Sequence, residues 1–227
     1  MITVVGNLKG GCGKSTITFN MAVWLAHRGM DVITFDLDPQ ATLSDAIEVR
    51  REEGVKPEIK VYRSESDPAR IMAHHQGEVL VDVGASNLWA MRQAIAQADR
   101  ILSPVPPSQA DVWSTARFLD IIKETASSRN KRPDIYLFIN RADTHPMLRE
   151  SDETEAALAT LPGVTILKTR IAQRTAYRRS FSEGRAVFEL SPSGKATQEF
   201  LALMEPLYPE LVSTGKQPAT RTSKKGA

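Results

Sequence analysis

The chain has 227 residues, with 29 Lys and Arg against 27 Asp and Glu for a formal charge of +2, and 41% hydrophobic and 25% charged side chains. These are ordinary values for one globular domain, and they exclude a long disordered or collagen-like chain. A single cysteine, Cys12, excludes a disulfide framework, a four-cysteine zinc site and a self-contained Fe–S cluster, and apolar runs of about five residues are far too short to span a membrane.

The N-terminus enters Met1-Ile2-Thr3-Val4-Val5 without a basic leader segment, so a soluble, cytosolic protein is expected. Ile2–Gly6 reads as a buried strand. After a glycine-rich turn, Ser15–His27 places Ile17, Met21, Trp24 and Leu25 on one helical stripe, and Gly29 can close that helix in a left-handed cap. Val32–Asp36, Ile59–Tyr62, Val79–Val83, Ile101–Val105, Ile135–Asn140 and Val164–Lys168 are further short runs rich in β-branched or aromatic residues. Helical patterns lie between or after them at Asn87–Ala98, Ala110–Ala126, Ser151–Leu161 and Gly194–Leu207. This alternation predicts an α/β fold, a mostly parallel twisted sheet with helices on both faces. Trp24, Trp89 and Trp113 fall in helical patterns and are expected to pack internally. Residues 1–212 form one domain, and residues 213–227, basic and nearly free of apolar side chains, are expected to be a disordered tail.

The strongest motif is Gly6-Asn7-Leu8-Lys9-Gly10-Gly11-Cys12-Gly13-Lys14-Ser15-Thr16, between the first strand and the first helix. Glycines allow backbone N–H groups to approach phosphate oxygens, and a helix N-terminus adds partial positive charge. Lys14 can reach the β- and γ-phosphates, and the Ser15 hydroxyl can ligate Mg²⁺. The ordinary pattern G-x-x-x-x-G-K-[ST] requires glycine at position 8, where this chain has Leu8, and a second lysine, Lys9, lies five residues before Lys14. Asp82 ends an apolar strand, where a carboxylate can hold Mg²⁺ through water. Asp36 and Asp38 lie two residues apart at another strand end, and chemistry alone does not choose between them. Asn140, at the end of Ile135–Asn140, carries both a donor and an acceptor suited to an adenine edge. His74 and His75 are adjacent and cannot share a helix face as a metal pair would, and Cys12 needs no chemistry in a tight turn.

Lys9-Gly10-Gly11-Cys12-Gly13-Lys14-Ser15 resembles the deviant Walker A loop of the ParA/MinD ATPases. The resemblance continues through Phe35-Asp36-Leu37-Asp38-Pro39-Gln40, Val79-Leu80-Val81-Asp82 and Val105-Pro106-Pro107-Ser108, over roughly residues 1–207. Thr169-Arg170-Ile171-Ala172-Gln173-Arg174, Tyr177 and Val187-Phe188-Glu189 are similar to the short, ParF-like plasmid-partition type, and carboxysome-positioning relatives share the same motifs. Gly84-Ala85-Ser86 departs from the commoner Thr-Pro-Pro type of sequence at that place.

The resemblance implies a P-loop NTPase fold with ATP and Mg²⁺ as cofactors. Gly10, Gly11, Cys12, Gly13, Lys14, Ser15, Thr16 and Asn140 would bind nucleotide, and Ser15, Asp82 and Asp36 would serve the metal. Asp38 would position the attacking water, with Lys14 and Lys9 also catalytic. Lys9 would cross a dimer interface to the other subunit's phosphates, making ATP the glue of a sandwich homodimer.

Charge is unevenly spread. Residues 1–167 carry −4, residues 168–195 carry +5 and residues 213–227 carry +4. Lys168, Arg170, Arg174, Arg178, Arg179 and Arg185 are the candidate contacts to non-specific double-stranded DNA. Arg174, Arg178 and Arg185, at intervals of four and seven, would share a face if the segment is helical. The expected function is a partition or positioning ATPase, nucleoid-associated, released from DNA when a ParB-like or cargo-adaptor protein stimulates hydrolysis. A MinD-like membrane cycler would need an amphipathic C-terminal helix that the tail does not supply. A small-molecule P-loop enzyme is the remaining alternative.

Overall fold

Short strands, most of them buried and each followed by a helix, build one sheet. The computed structural model describes residues 1–63, 68–127, 132–144 and 149–213. It runs β1 (Ile2–Val5), α1 (Lys14–His27), β2 (Val32–Asp36), α2 (Thr42–Glu52), β3 (Lys60–Arg63), α3 (Pro68–His74), β4 (Glu78–Asp82), α4 (Leu88–Ile95) and β5 (Arg100–Val105). It continues through α5 (Gln109–Thr125), β6 (Asp134–Ala142), α6 (Glu150–Leu158), β7 (Thr165–Ala172), α7 (Thr175–Ser182), α8 (Val187–Leu190), α9 (Lys195–Leu207) and α10 (Pro209–Ser213). Except for Ser213, which ends α10, the tail expected to be disordered lies outside the described residues.

The seven strands lie in the order β3-β2-β4-β1-β5-β6-β7, and every neighbouring pair is parallel. The chain builds one side of β1 first and then the other. The order therefore reverses at β1, which opens a crevice at the carboxyl ends of the central strands. Successive residues face opposite layers: Val5 and Leu80 join the core under α1 and α9, whereas Val4, Val79 and Val81 join Met91, Ile95, Phe118 and Ile122 of α4 and α5. A smaller cluster places Leu137, Ile139 and Val105 against Leu158 of α6. Among the described residues no helix is long and apolar enough to cross a membrane.

Trp24 is fully buried, but Trp89 is 74% and Trp113 is 59% exposed, which corrects the expectation that all three pack internally. Helix phase explains it. The buried stripe of α5 runs through Val112, Thr115, Phe118 and Ile122, and position 113 lies off it; in α4 the stripe is Ala90, Met91, Ala94 and Ile95, and position 89 precedes it.

The peripheral helices are joined by a buried ion pair. Arg50 of α2 is only 1% exposed. Its Nε donates to the Pro57 carbonyl at 2.8 Å, Nη1 to Gly184 O and Glu189 Oε2 at 2.9 and 2.7 Å, and Nη2 to Lys56 O and Glu189 Oε1 at 2.8 and 2.9 Å. All five guanidinium N–H groups are therefore used. Glu189 also pairs with His27 Nε2 of α1 at 2.6 Å. Burial opposes the Glu189 charge, but hydrogen bonds from His27 and Arg50 outweigh it and hold the carboxyl down at about 2.

Candidate nucleotide site

The crevice contains a cavity of about 1040 Å³ bordered by the loop of residues 10–16, by Asp38 and Gln40, by Ala85 and Ser86, and by residues 140–144 and 172–178 of the β6 and β7 ends. Gly13 caps α1 in the left-handed region, at φ 95°, and a Cβ there would lie 2.3 Å from Asn140 Nδ2, so both conformation and space require glycine. No side chain caps α1. Its first N–H groups are therefore free to meet an anion. The loop is held by Asn7, which sequence reasoning did not single out. Asn7 Nδ2 reaches Ser103 Oγ and Pro104 O at 3.2 Å, and Oδ1 accepts the Lys9 N–H at 3.0 Å.

Lys14 is buried, and its Nζ donates to the Lys9 carbonyl at 3.0 Å. Cys12 Sγ donates to the same carbonyl at 3.3 Å, and burial raises the thiol above its usual range. Gly10, Gly11 and the Lys9 side chain are exposed on the outer rim, while Ser15 and Thr16 are half-buried at the start of α1.

Parallel register sets Asp36 of β2 beside Asp82 of β4. Both Asp82 carboxylate oxygens are buried, with the Ser15 hydroxyl as the neighbouring donor. Burial, with Asp36 adding to it, pushes the Asp82 carboxyl up to about 7. Beside the Ser15 hydroxyl, this oxygen pair suits a hard cation that also takes phosphate and water oxygens. Asp36, expected to serve the metal, is hydrogen-bonded to backbone N–H groups. Its Oδ2 accepts Ser44 N at 2.8 Å and its Oδ1 accepts Asp38 N at 3.3 Å, so it braces the turn that carries Asp38. Burial raises its carboxyl as well. Asp38 is half-buried at the cavity, where its Oδ1 accepts Gln40 N at 3.0 Å.

Asn140, expected at the adenine edge, lies against the phosphate loop. It is buried, and Nδ2 donates to the Cys12 carbonyl at 2.6 Å. Its neighbour Arg141, at φ 59°, donates from Nη1 to the Gly11 carbonyl at 2.6 Å. Two consecutive residues of β6 thus brace the phosphate loop, and proximity to Asn140 was the sequence signal for Arg141.

The basic segment does not form one helical face. Lys168 and Arg170 lie on β7, Arg174 precedes α7, Arg178 and Arg179 are within it, and Arg185 follows it. Arg170 is paired with Asp152 and Glu155, Arg174 with Glu199, and Arg179 with Glu183. Lys168, Arg178 and Arg185 are exposed and have no ion pair among the described residues. Arg174 and Arg178 also line the cavity.

The profile of the CobQ/CobB/MinD/ParA nucleotide binding domain matches residues 3–187. The chain is similar to the maintenance of carboxysome distribution protein A of Halothiobacillus neapolitanus, with 31% identity over 199 residues, 86% of this chain and 90% of that protein. It is 28% identical over 190 residues to Protein ParA of Rhizobium radiobacter, covering 81% of this chain and 83% of that one. A solved Borrelia burgdorferi structure, described as a plasmid partition protein bound to AMPPNP, shares the fold at TM-score 0.70 and 17% identity, covering 92% of this chain and 98% of that one.

Proposed function

The chain belongs to the CobQ/CobB/MinD/ParA nucleotide-binding family and is an ATPase of the ParA/MinD type, and on that premise we propose that it is a partition or positioning ATPase that binds DNA as an ATP-dependent dimer. The observation that carries the reading is a phosphate loop with both lysines in place, set beside a buried Asp82 carboxylate that faces the Ser15 hydroxyl. Ser15 and Asp82 would hold Mg²⁺. When bound, the ion would neutralise charge on the β- and γ-phosphates. Lys14 would leave the Lys9 carbonyl for the same oxygens. Asp38 would orient the attacking water, a task that needs geometry more than basicity. Lys9, exposed on the rim, would reach the nucleotide of a second copy. Leu88 and Trp89 on α4 and Trp113 on α5 are exposed, and large exposed apolar side chains favour burial, which supports self-association.

DNA contact would fall to Lys168, Arg178 and Arg185, the cations of the segment without an ion pair among the described residues. Dimerisation would double the number of phosphates neutralised, so binding should strengthen and become steeper in salt when ATP is present. A ParB-like or adaptor protein would stimulate hydrolysis and release the dimer. The cargo would be of the kind for which relatives are named, a carboxysome or a plasmid. The test is duplex DNA binding across a salt series with ATP, ADP and no nucleotide. An ATP-specific rise in affinity with a steeper slope is expected, and equal binding in all three states would overturn the DNA-switch reading.

A further inference from the structure

Gly84 lies two residues beyond Asp82, in the Gly84-Ala85-Ser86 loop whose next two residues border the nucleotide cavity. A Cβ built on Gly84 would lie 2.6 Å from Asp38 Cγ, 2.7 Å from Oδ1 and 2.8 Å from Oδ2. The carboxylate of Asp38 therefore rests directly on the backbone of position 84. The requirement for glycine is steric, because Gly84 is not among the positive-φ glycines. Alanine can adopt this backbone without strain, so its cost would fall on Asp38. An aspartate side chain has only two torsions, and three of its atoms are blocked together; it cannot yield without turning its carboxylate away.

We propose that Gly84 is a positioning residue for hydrolysis, forming the seat that sets the Asp38 carboxylate and ties its placement to the loop after β4. The proposal rests on the reading of Asp38 as the residue that orients water. Any movement of residues 84–86 moves the surface on which Asp38 lies, so this loop and the water-orienting group act together. Sequence comparison with the commoner Thr-Pro-Pro pattern would treat position 84 as a neutral departure, whereas the geometry makes it a condition for Asp38 to hold its place.

The experiment compares wild type, Gly84→Ala, Asp38→Ala and the double variant for ATP affinity, steady-state hydrolysis and thermal unfolding. Gly84→Ala should lower kcat by about tenfold to a hundredfold, the scale of an ångström misplacement, with ATP affinity within about twofold of wild type. It should also lower Tm in the wild-type background but not in the Asp38→Ala background, where the colliding atoms are gone. Hydrolysis that survives in Asp38→Ala would overturn the assignment of Asp38. Loss in Asp38→Ala with unchanged kcat in Gly84→Ala would overturn the seat alone, as would an equal Tm loss in both backgrounds.

Discussion

Asp82→Asn should stabilise the nucleotide-free protein while removing its response to Mg·ATP. The Asp82 side chain is fully buried, and its carboxyl is pushed from an ordinary 3.8 to about 7, chiefly by burial. The folded-state value lies above the unfolded one, so ionisation opposes folding. Below pH 4 the group is protonated in both states and the penalty is absent. Between pH 4 and 7 the unfolded chain ionises first, and each pH unit removes about 1.4 kcal/mol of stability. Above pH 7 the penalty is complete, about 4 kcal/mol as an order of magnitude. Asparagine has nearly the same shape and no charge, but its buried amide without a partner costs about 1–3 kcal/mol. The net gain at pH 8 is therefore about 2 kcal/mol, a Tm rise of roughly 4–8 °C for a domain of this size. Calorimetry at pH 8 and pH 5 checks the sign, because the gain should shrink at the lower pH. Adding Mg·ATP should then reverse the order, since ligand binding stabilises only the protein that holds it. A variant less stable than wild type at pH 8, with no narrowing of the difference at pH 5, would refute the reasoning.

Arg50→Ala leaves Glu189 buried beside His27 with its bidentate partner gone and should cost about 3–5 kcal/mol in chemical denaturation; Arg50→Lys should recover only part, because an ammonium cannot reproduce the five-bond fork. In the parent, acid should weaken this joint as pH falls below 4.5 toward 2, since Glu189 is held ionised only in the folded state. Alanine at Lys168, Arg178 and Arg185 together should reduce the slope of log DNA affinity against log salt by roughly 3 per protomer, if each cation neutralises one phosphate. Arg170→Ala should change that slope by less, because its charge is already shared by Asp152 and Glu155. Trp89→Ser with Trp113→Ser should leave ATP binding intact and weaken ATP-dependent self-association at least tenfold in sedimentation.

The seven strands were legible because each contains a short run rich in β-branched or aromatic residues, and each was placed to within a few residues. β7 was read to end at Lys168 but continues to Ala172. Its charged Lys168 and Arg170 interrupt the apolar pattern, and the partners of Arg170 come from outside the strand. Helices α2, α3, α7, α8 and α10 were missed. Arg50, at the centre of the α2 joint, looks like a surface residue until Glu189 is brought to it from 139 positions away. Pattern alone cannot show such a partner. The place of the phosphate loop between β1 and α1, and of Asp82 at the end of β4, was legible because each is set by local sequence. The backbone groups that Asp36 and Asn140 meet were not, since those contacts form only on folding.

The thiol of Cys12 is the only one in the chain and is wholly covered within the phosphate loop. A thiol reagent can therefore reach it only when that loop opens. The rate of alkylation becomes a clock for loop opening, readable without added dye or engineered label. Compared with and without nucleotide, the same clock reports how firmly the phosphates hold the loop shut, and a second cysteine placed on the surface would react so much faster that the two signals separate in time.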